Sequence, residues 1–70
     1  MQHKVVIQRK LKKAIAKHHA LKIGTLNERL LENLNSTTPN WEHAVSIVGD
    51  MYESIMLLDD EVYNNFEEEM

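Results

Sequence analysis

A chain of 70 residues forms one domain at most, and the lack of cysteine excludes disulfides, thiolate metal sites and cysteine nucleophiles. The net charge is only −3, but the signs are segregated: seven of the eight basic residues lie at or before Lys22, and all eleven acidic residues lie at or after Glu28. Either the two halves attract each other, within one chain or between two, or each half faces a partner of opposite charge.

Few residues are available to form turns. Two glycines and one proline favour a few long helices over many short strands, so we expect an all-α small helical bundle in a single domain, residues 1–70. The N-terminal apolar run is too short for a signal peptide, and no segment approaches the ~20 apolar residues of a membrane span. We therefore expect a cytoplasmic protein with no membrane contact.

The first predicted helix covers about 4–22. Its apolar residues recur at intervals typical of an amphipathic helix, with His18 on the same stripe, and Gly24 follows as a natural stop. The stripe contains Ile7, Leu11, Ala14, Ile15 and Leu21. The opposite, basic arc contains Arg9, Lys10, Lys12, Lys13 and Lys17.

The second predicted helix covers about 26–34. Thr25 and Glu28 have the spacing of a capping box, in which each side chain bonds the other's backbone. The polar run 35–38 ends the helix as a short loop. The first two helices would therefore form a hairpin.

The third predicted helix has Thr38 as its N-cap and Pro39 in its first turn. It either continues to 68 or stops near 57, with Asp59 capping a new short helix; no glycine or proline marks that break. The acidic tail, 67–70, is expected to fray. Its apolar stripe contains Trp41, Val45, Val48, Tyr52 and Ile55, then Asp59, Val62 and Phe66.

Helix lengths then predict an uncovered surface. The first helix would span about 27 Å and a continuous third helix about 45 Å. A second copy or another protein would cover the remainder, and a two-fold homodimer is favoured. The predicted interface comprises Trp41, Val48, Met51, Tyr52, Ile55, Met56, Val62 and Phe66.

No catalytic or cofactor site is predicted. His18 and His19 are adjacent, so on a helix they point about 100° apart and cannot chelate one ion together. The carboxylate pair Glu28–Glu32 resembles helical nucleotide pyrophosphatases in its spacing alone. The sequence contains no nucleophile–base arrangement and no phosphate-binding glycine loop.

Residues 15–30 resemble the helix-turn-helix of small DNA-binding regulators of bacteria and phages. Ala16 matches the small residue where the two helices touch, Leu21 the apolar turn residue, and Thr25 the start of the recognition helix. The resemblance implies DNA contacts from the second helix. Ala20 stands where the usual turn glycine is expected, and His19 where the family has an apolar residue. Candidate contacts to nucleic acid or an acidic partner are Arg9, Lys10, Lys12, Lys13, Lys17, Asn27 and Arg29.

Charge ranks these alternatives. Glu28 and Glu32 on the reading face would repel DNA phosphates, with Arg29 as the one cation there. The sequence therefore favours a non-enzymatic regulatory or adaptor protein that acts by helix-mediated protein binding. It fits a phage or bacterial accessory protein that inhibits or redirects a host complex, with DNA-binding transcription regulation as the alternative.

Overall fold

The computed structural model describes residues 2–69, and the side chains of residues 10–68. This part of the chain contains two α-helices, α1 (Gln2–Leu34) and α2 (Trp41–Glu69), packed against each other as an antiparallel hairpin. The all-helical class and the hairpin are thus confirmed, but the hairpin is built from two long helices rather than from 4–22 and 26–34.

The predicted break after Lys22 is wrong. Gly24 lies inside α1 without a positive φ, so it is not a C-cap. The Thr25 hydroxyl donates to the carbonyl of Leu21 at 3.2 Å, the back-bond of a mid-helix threonine, and so the predicted capping box is wrong too. A helical glycine costs about 1 kcal/mol relative to alanine. An interruption would leave up to four amides and four carbonyls without helical partners, so continuation is cheaper.

The loop that joins the helices is short and hydrogen-bonded. The helix N-cap is Asn40, whose Oδ1 accepts from the His43 amide at 3.0 Å, rather than the predicted Thr38. Asn33 reaches across the loop to the backbone of Asn40. The predicted loop over 35–38 is confirmed, and it extends as far as Asn40.

The α2 helix runs without interruption through Asp59. The sequence left open whether this helix continues to 68 or stops near 57. The structure has the continuous helix, because no residue near Asp59 disfavours a helical backbone. With 33 residues, α1 is longer than the 29-residue α2, so the predicted length mismatch between the helices does not exist.

The seam between the helices is narrow. Among the described side chains, Leu26, Ala44 and Ile47 are the buried hydrophobic ones, and Ser54 is buried beside them. Half-buried residues continue the seam at alternating intervals of three and four, the repeat of a coiled-coil pair. On α1 they include Lys12, Ala16, His19, Ile23, Leu30 and Asn33; on α2 they are Met51, Leu58, Glu61 and Asn65.

The seam does not use the predicted apolar stripes. On α1, Leu11, Ala14, His18 and Leu21 are exposed, and Ile15 alone of the described stripe residues is half-buried. On α2, the stripe that begins at Trp41 is exposed and lies outside the seam. Small residues such as Ala44 and Ser54 let the helices approach closely, which explains their place in the seam.

Candidate protein-binding surface

An exposed apolar strip runs along α2 beside the seam. We call it the outer stripe and define it as Trp41, Val45, Val48, Tyr52, Ile55, Val62 and Phe66. Every one of these side chains is exposed in the hairpin. Their intervals alternate between four and three residues as far as Ile55, are seven from there to Val62 and four to Phe66, which keeps them on one side of the helix.

All four aromatic residues of the chain lie on this side of α2. Trp41, Tyr52, Tyr63 and Phe66 are between 58% and 67% exposed, and none enters the seam. Met56 and Tyr63, seven residues apart, border the outer stripe and widen it. Aromatic side chains and methionine are enriched at protein–protein interfaces, whereas cores normally bury them.

The structure places seven of the eight predicted interface residues on this exposed side. The exception is Met51, which is half-buried in the seam between Ile47 and Ser54. Val45 and Tyr63 belong to the surface but were outside the predicted interface. Val45 has the same helical spacing as its neighbours in the stripe, and Tyr63 lies two turns after Met56 on the same side of the helix. The periodicity of the sequence could therefore have identified both residues.

The hairpin brings the basic and acidic halves of the chain together. Lys12 near the start of α1 forms an ion pair with Glu68 near the end of α2. The sequence predicted either attraction between the two halves or a separate partner of opposite charge for each half. This ion pair is an example of attraction between the halves within one chain. Exposed pairs contribute about 0.2–1 kcal/mol, so this contact adds little to the stability of the hairpin.

The predicted cationic contacts do not form one surface. Lys10, Lys13 and Lys17 are exposed on one side of α1, whereas the half-buried Lys12 faces Glu68. Asn27 and Arg29 are exposed ten or more residues farther along, and two residues apart on a helix they point in nearly opposite directions. The side chain of Arg9 lies outside the described residues.

The grooves that the structure describes between these side chains are open to solvent. An open, shallow groove of about 530 Å³ at the end of the hairpin is lined by Lys12, Glu68 and their neighbours, including Asn64 and Asn65. Within residues 10–68, no three histidine or acidic side chains lie close enough together to hold a metal ion. The surface with the clearest chemical character is thus the outer stripe.

Neither described helix is long and apolar enough to cross a membrane. Comparison with protein-family models, with characterised proteins and with solved structures finds no match.

Proposed function

We propose that this protein is a non-enzymatic regulatory or adaptor module that binds a protein surface through the outer stripe of α2. The observation that carries the proposal is the exposure of all four aromatic residues along one side of one helix. A strip of this kind, left in water, is unfavourable by about 25 cal/mol per Å² of apolar surface. Large contiguous apolar patches on folded chains mark interaction sites.

The small size of the seam supports the same proposal. Among the side chains of residues 10–68, few hydrophobic ones are buried between the two helices, with Leu26 and Ile47 the largest of them. Chains of this size without disulfides or a metal are marginally stable on their own. A partner that covers the outer stripe would supply the apolar burial that the hairpin lacks.

Charge supports a protein rather than a membrane or nucleic acid as the partner. The α2 helix contains no lysine or arginine, and Glu42, Asp50 and Glu53 lie on it together with the acidic residues after Leu58. Amphipathic helices that lie on membranes carry lysine and arginine beside the apolar face. Affinity for nucleic acid comes mostly from cations, so phosphates would be repelled here.

The alternative of a helix-turn-helix regulator receives no comparable support. Residues 15–30 form one uninterrupted stretch of α1. A helix-turn-helix needs two helices that meet at about 90–120° around a turn. DNA binding by this chain therefore stays a separate prediction, for which we give a test below.

The proposal is tested by comparing Ile55→Asp with Leu57→Asp. Both residues are 45% exposed on α2, but Ile55 lies in the outer stripe and Leu57 on the other side of the seam. We expect a partner captured from a lysate by the wild-type chain to be retained by Leu57→Asp and lost with Ile55→Asp. Capture that is equal for the two variants would overturn the proposal.

A further inference from the structure

We infer that the outer stripe of α2 binds the outer stripe of a second copy of this chain, with the two α2 helices antiparallel about a two-fold axis. The inference rests on the proposed function, for which it names the partner. Four observations carry it: the spacing of the stripe, its angle to the seam, the distribution of charge, and the exposed area.

The spacing of the stripe is self-complementary. From Trp41 to Phe66 the intervals alternate between four and three residues, with Asp59 in the gap between Ile55 and Val62. The series reads the same in both directions, as a two-fold interface requires, because such an interface pairs one patch with itself. Antiparallel pairing centres the axis between Tyr52 and Ile55 and places Val45 opposite Val62 of the second copy.

The angle between the two surfaces of α2 fits a bundle. Because an α-helix has 3.6 residues per turn, the outer stripe lies about 100° around α2 from the seam, to which Ile47 and Ser54 belong. A helix of a four-helix bundle packs against two neighbours at about this angle. One neighbour is α1, and the second position is open along the length of α2.

No other described surface offers an equivalent neighbour. The exposed leucines of α1, which include Leu11, Leu21 and Leu31, point in different directions around that helix. A second copy therefore presents one continuous apolar face to the outer stripe, namely its own α2.

Charge selects the antiparallel orientation. Six acidic residues lie in the last part of α2: Asp59, Asp60, Glu61, Glu67, Glu68 and Glu69. Parallel packing would bring both sets together, and like charges across an interface are unfavourable. Antiparallel packing places each set beside the less acidic first half of the other α2, and Asp59 then lies opposite Val48 of the second copy.

The exposed area is large enough for a dimer interface of standard size. The hairpin exposes 6101 Å² and measures 57 × 17 × 14 Å. A compact chain of the same mass would expose about 4,500 Å², and an interface of standard size buries about 800 Å² on each partner. The excess of roughly 1,600 Å² leaves room for such an interface.

The first experiment is sedimentation of the purified wild-type chain at ~100 µM, together with Ile55→Asp and Leu57→Asp. We expect the wild type and Leu57→Asp to sediment at twice the 8.2 kDa of one chain, and Ile55→Asp to lose the dimer. A monodisperse wild-type monomer would overturn the inference. So would a Leu57→Asp variant that dissociates as Ile55→Asp does.

The second experiment determines orientation and does not depend on a destabilised variant. The chain has no cysteine, so Val45→Cys and Val62→Cys introduce the sole thiols. The two positions are about 25 Å apart on one straight helix, which prevents a disulfide within one chain. On mild oxidation we expect covalent dimers from the double variant and from a mixture of the two single variants. Neither single variant alone should form them.

The opposite pattern of cross-links, with each single variant dimerising alone, would show parallel packing and overturn the inference. A dimer that forms no cross-link in any combination would overturn it as well, because its interface would lie elsewhere. The wild type could instead be a monomer that captures a different protein and loses this capture with Ile55→Asp. That result would overturn the inference that the partner is a second copy, but it would leave the proposed function intact.

Discussion

Asn33 binds both backbone groups of Asn40 through its side-chain amide: Nδ2 donates to the Asn40 carbonyl, and Oδ1 accepts from the Asn40 amide, each at 2.8 Å. The side chain of Asn40 in turn caps α2 at His43. One asparagine at the end of α1 therefore fixes the residue that starts α2. This pair sets the separation of the two helices where the hairpin turns.

We expect Asn33→Ala to destabilise the hairpin by about 1–2 kcal/mol, because two hydrogen bonds are lost and Asn40 is less well held for capping. A urea melt measures the effect. The matched control is Asn27→Ala, an exposed asparagine for which the structure records no side-chain hydrogen bond. The control should be neutral or slightly stabilising, and equal losses in the two variants would contradict the role of Asn33.

Gly24→Ala tests whether α1 is continuous. A Cβ at this position meets nothing within 4 Å, and the backbone is helical, so alanine should stabilise the fold by about 0.5–1 kcal/mol. A C-terminal glycine cap would give the opposite sign, because alanine is strained in the left-handed conformation. A lower midpoint in a thermal or urea melt would therefore indicate that the first helix ends after Lys22.

Thr25→Ala gives an independent test of the same region. In a capping box the substitution would lower stability by about 1 kcal/mol. Inside a helix the threonine bonds Leu21 and contributes little, while alanine is the better helix former, so we expect no loss and a gain of at most ~0.5 kcal/mol. Melts of this variant and of Gly24→Ala should agree in sign.

The fold class could be predicted from the sequence, but the division of the chain into helices could not. Gly24 and the Thr25–Glu28 pair carry real stop and start signals, which act on a scale of about 1 kcal/mol each. Packing of α1 along the whole of α2 outweighs them. That packing is a property of two helices together, which local signals do not contain.

The sequence predicted most of the outer stripe as an interface, but it did so from a mismatch in helix lengths that the structure does not have. Trp41, Val45 and Tyr52 are larger than Ala44 and Ser54 and recur at helical spacing, so size and periodicity favour them as the residues that pack against α1. The seam instead uses Ala44, Ile47 and Ser54. The seam residues and the outer stripe recur at the same helical period on α2. Only the position of α1 shows which of these two series packs against α1.

Asp59→Leu should strengthen self-association. Asp59 occupies the gap in the outer stripe between Ile55 and Val62 and is exposed in the hairpin. Placing its charge in an apolar seam is unfavourable, so leucine should shift the dimer to lower concentrations by tenfold or more, about 1.4 kcal/mol. Dilution followed by sedimentation measures this shift. Asp60→Leu, one residue around the helix, is the control, and an equal effect there would argue against Asp59 lying at the interface.

Duplex DNA provides the final test, because it separates the proposed protein-binding role from the helix-turn-helix alternative. We expect no specific binding tighter than ~1 µM at ~150 mM salt, where true operators are bound at roughly 10⁻⁸ M or tighter. Any binding at low salt should be weak and independent of sequence. Its source would be the row of exposed lysines, Lys10, Lys13 and Lys17.

Replacing those three lysines with glutamine should abolish the low-salt binding, whereas Lys12→Gln should change it less, because Glu68 already pairs with Lys12. Selection from a random duplex library at physiological salt is the decisive measurement. Asn27 and Arg29 point to opposite sides of a continuous α1, so they cannot read one groove together. Enrichment of one motif that is lost on mutating either residue would therefore require α1 to break, and would make the DNA-binding regulator the better proposal.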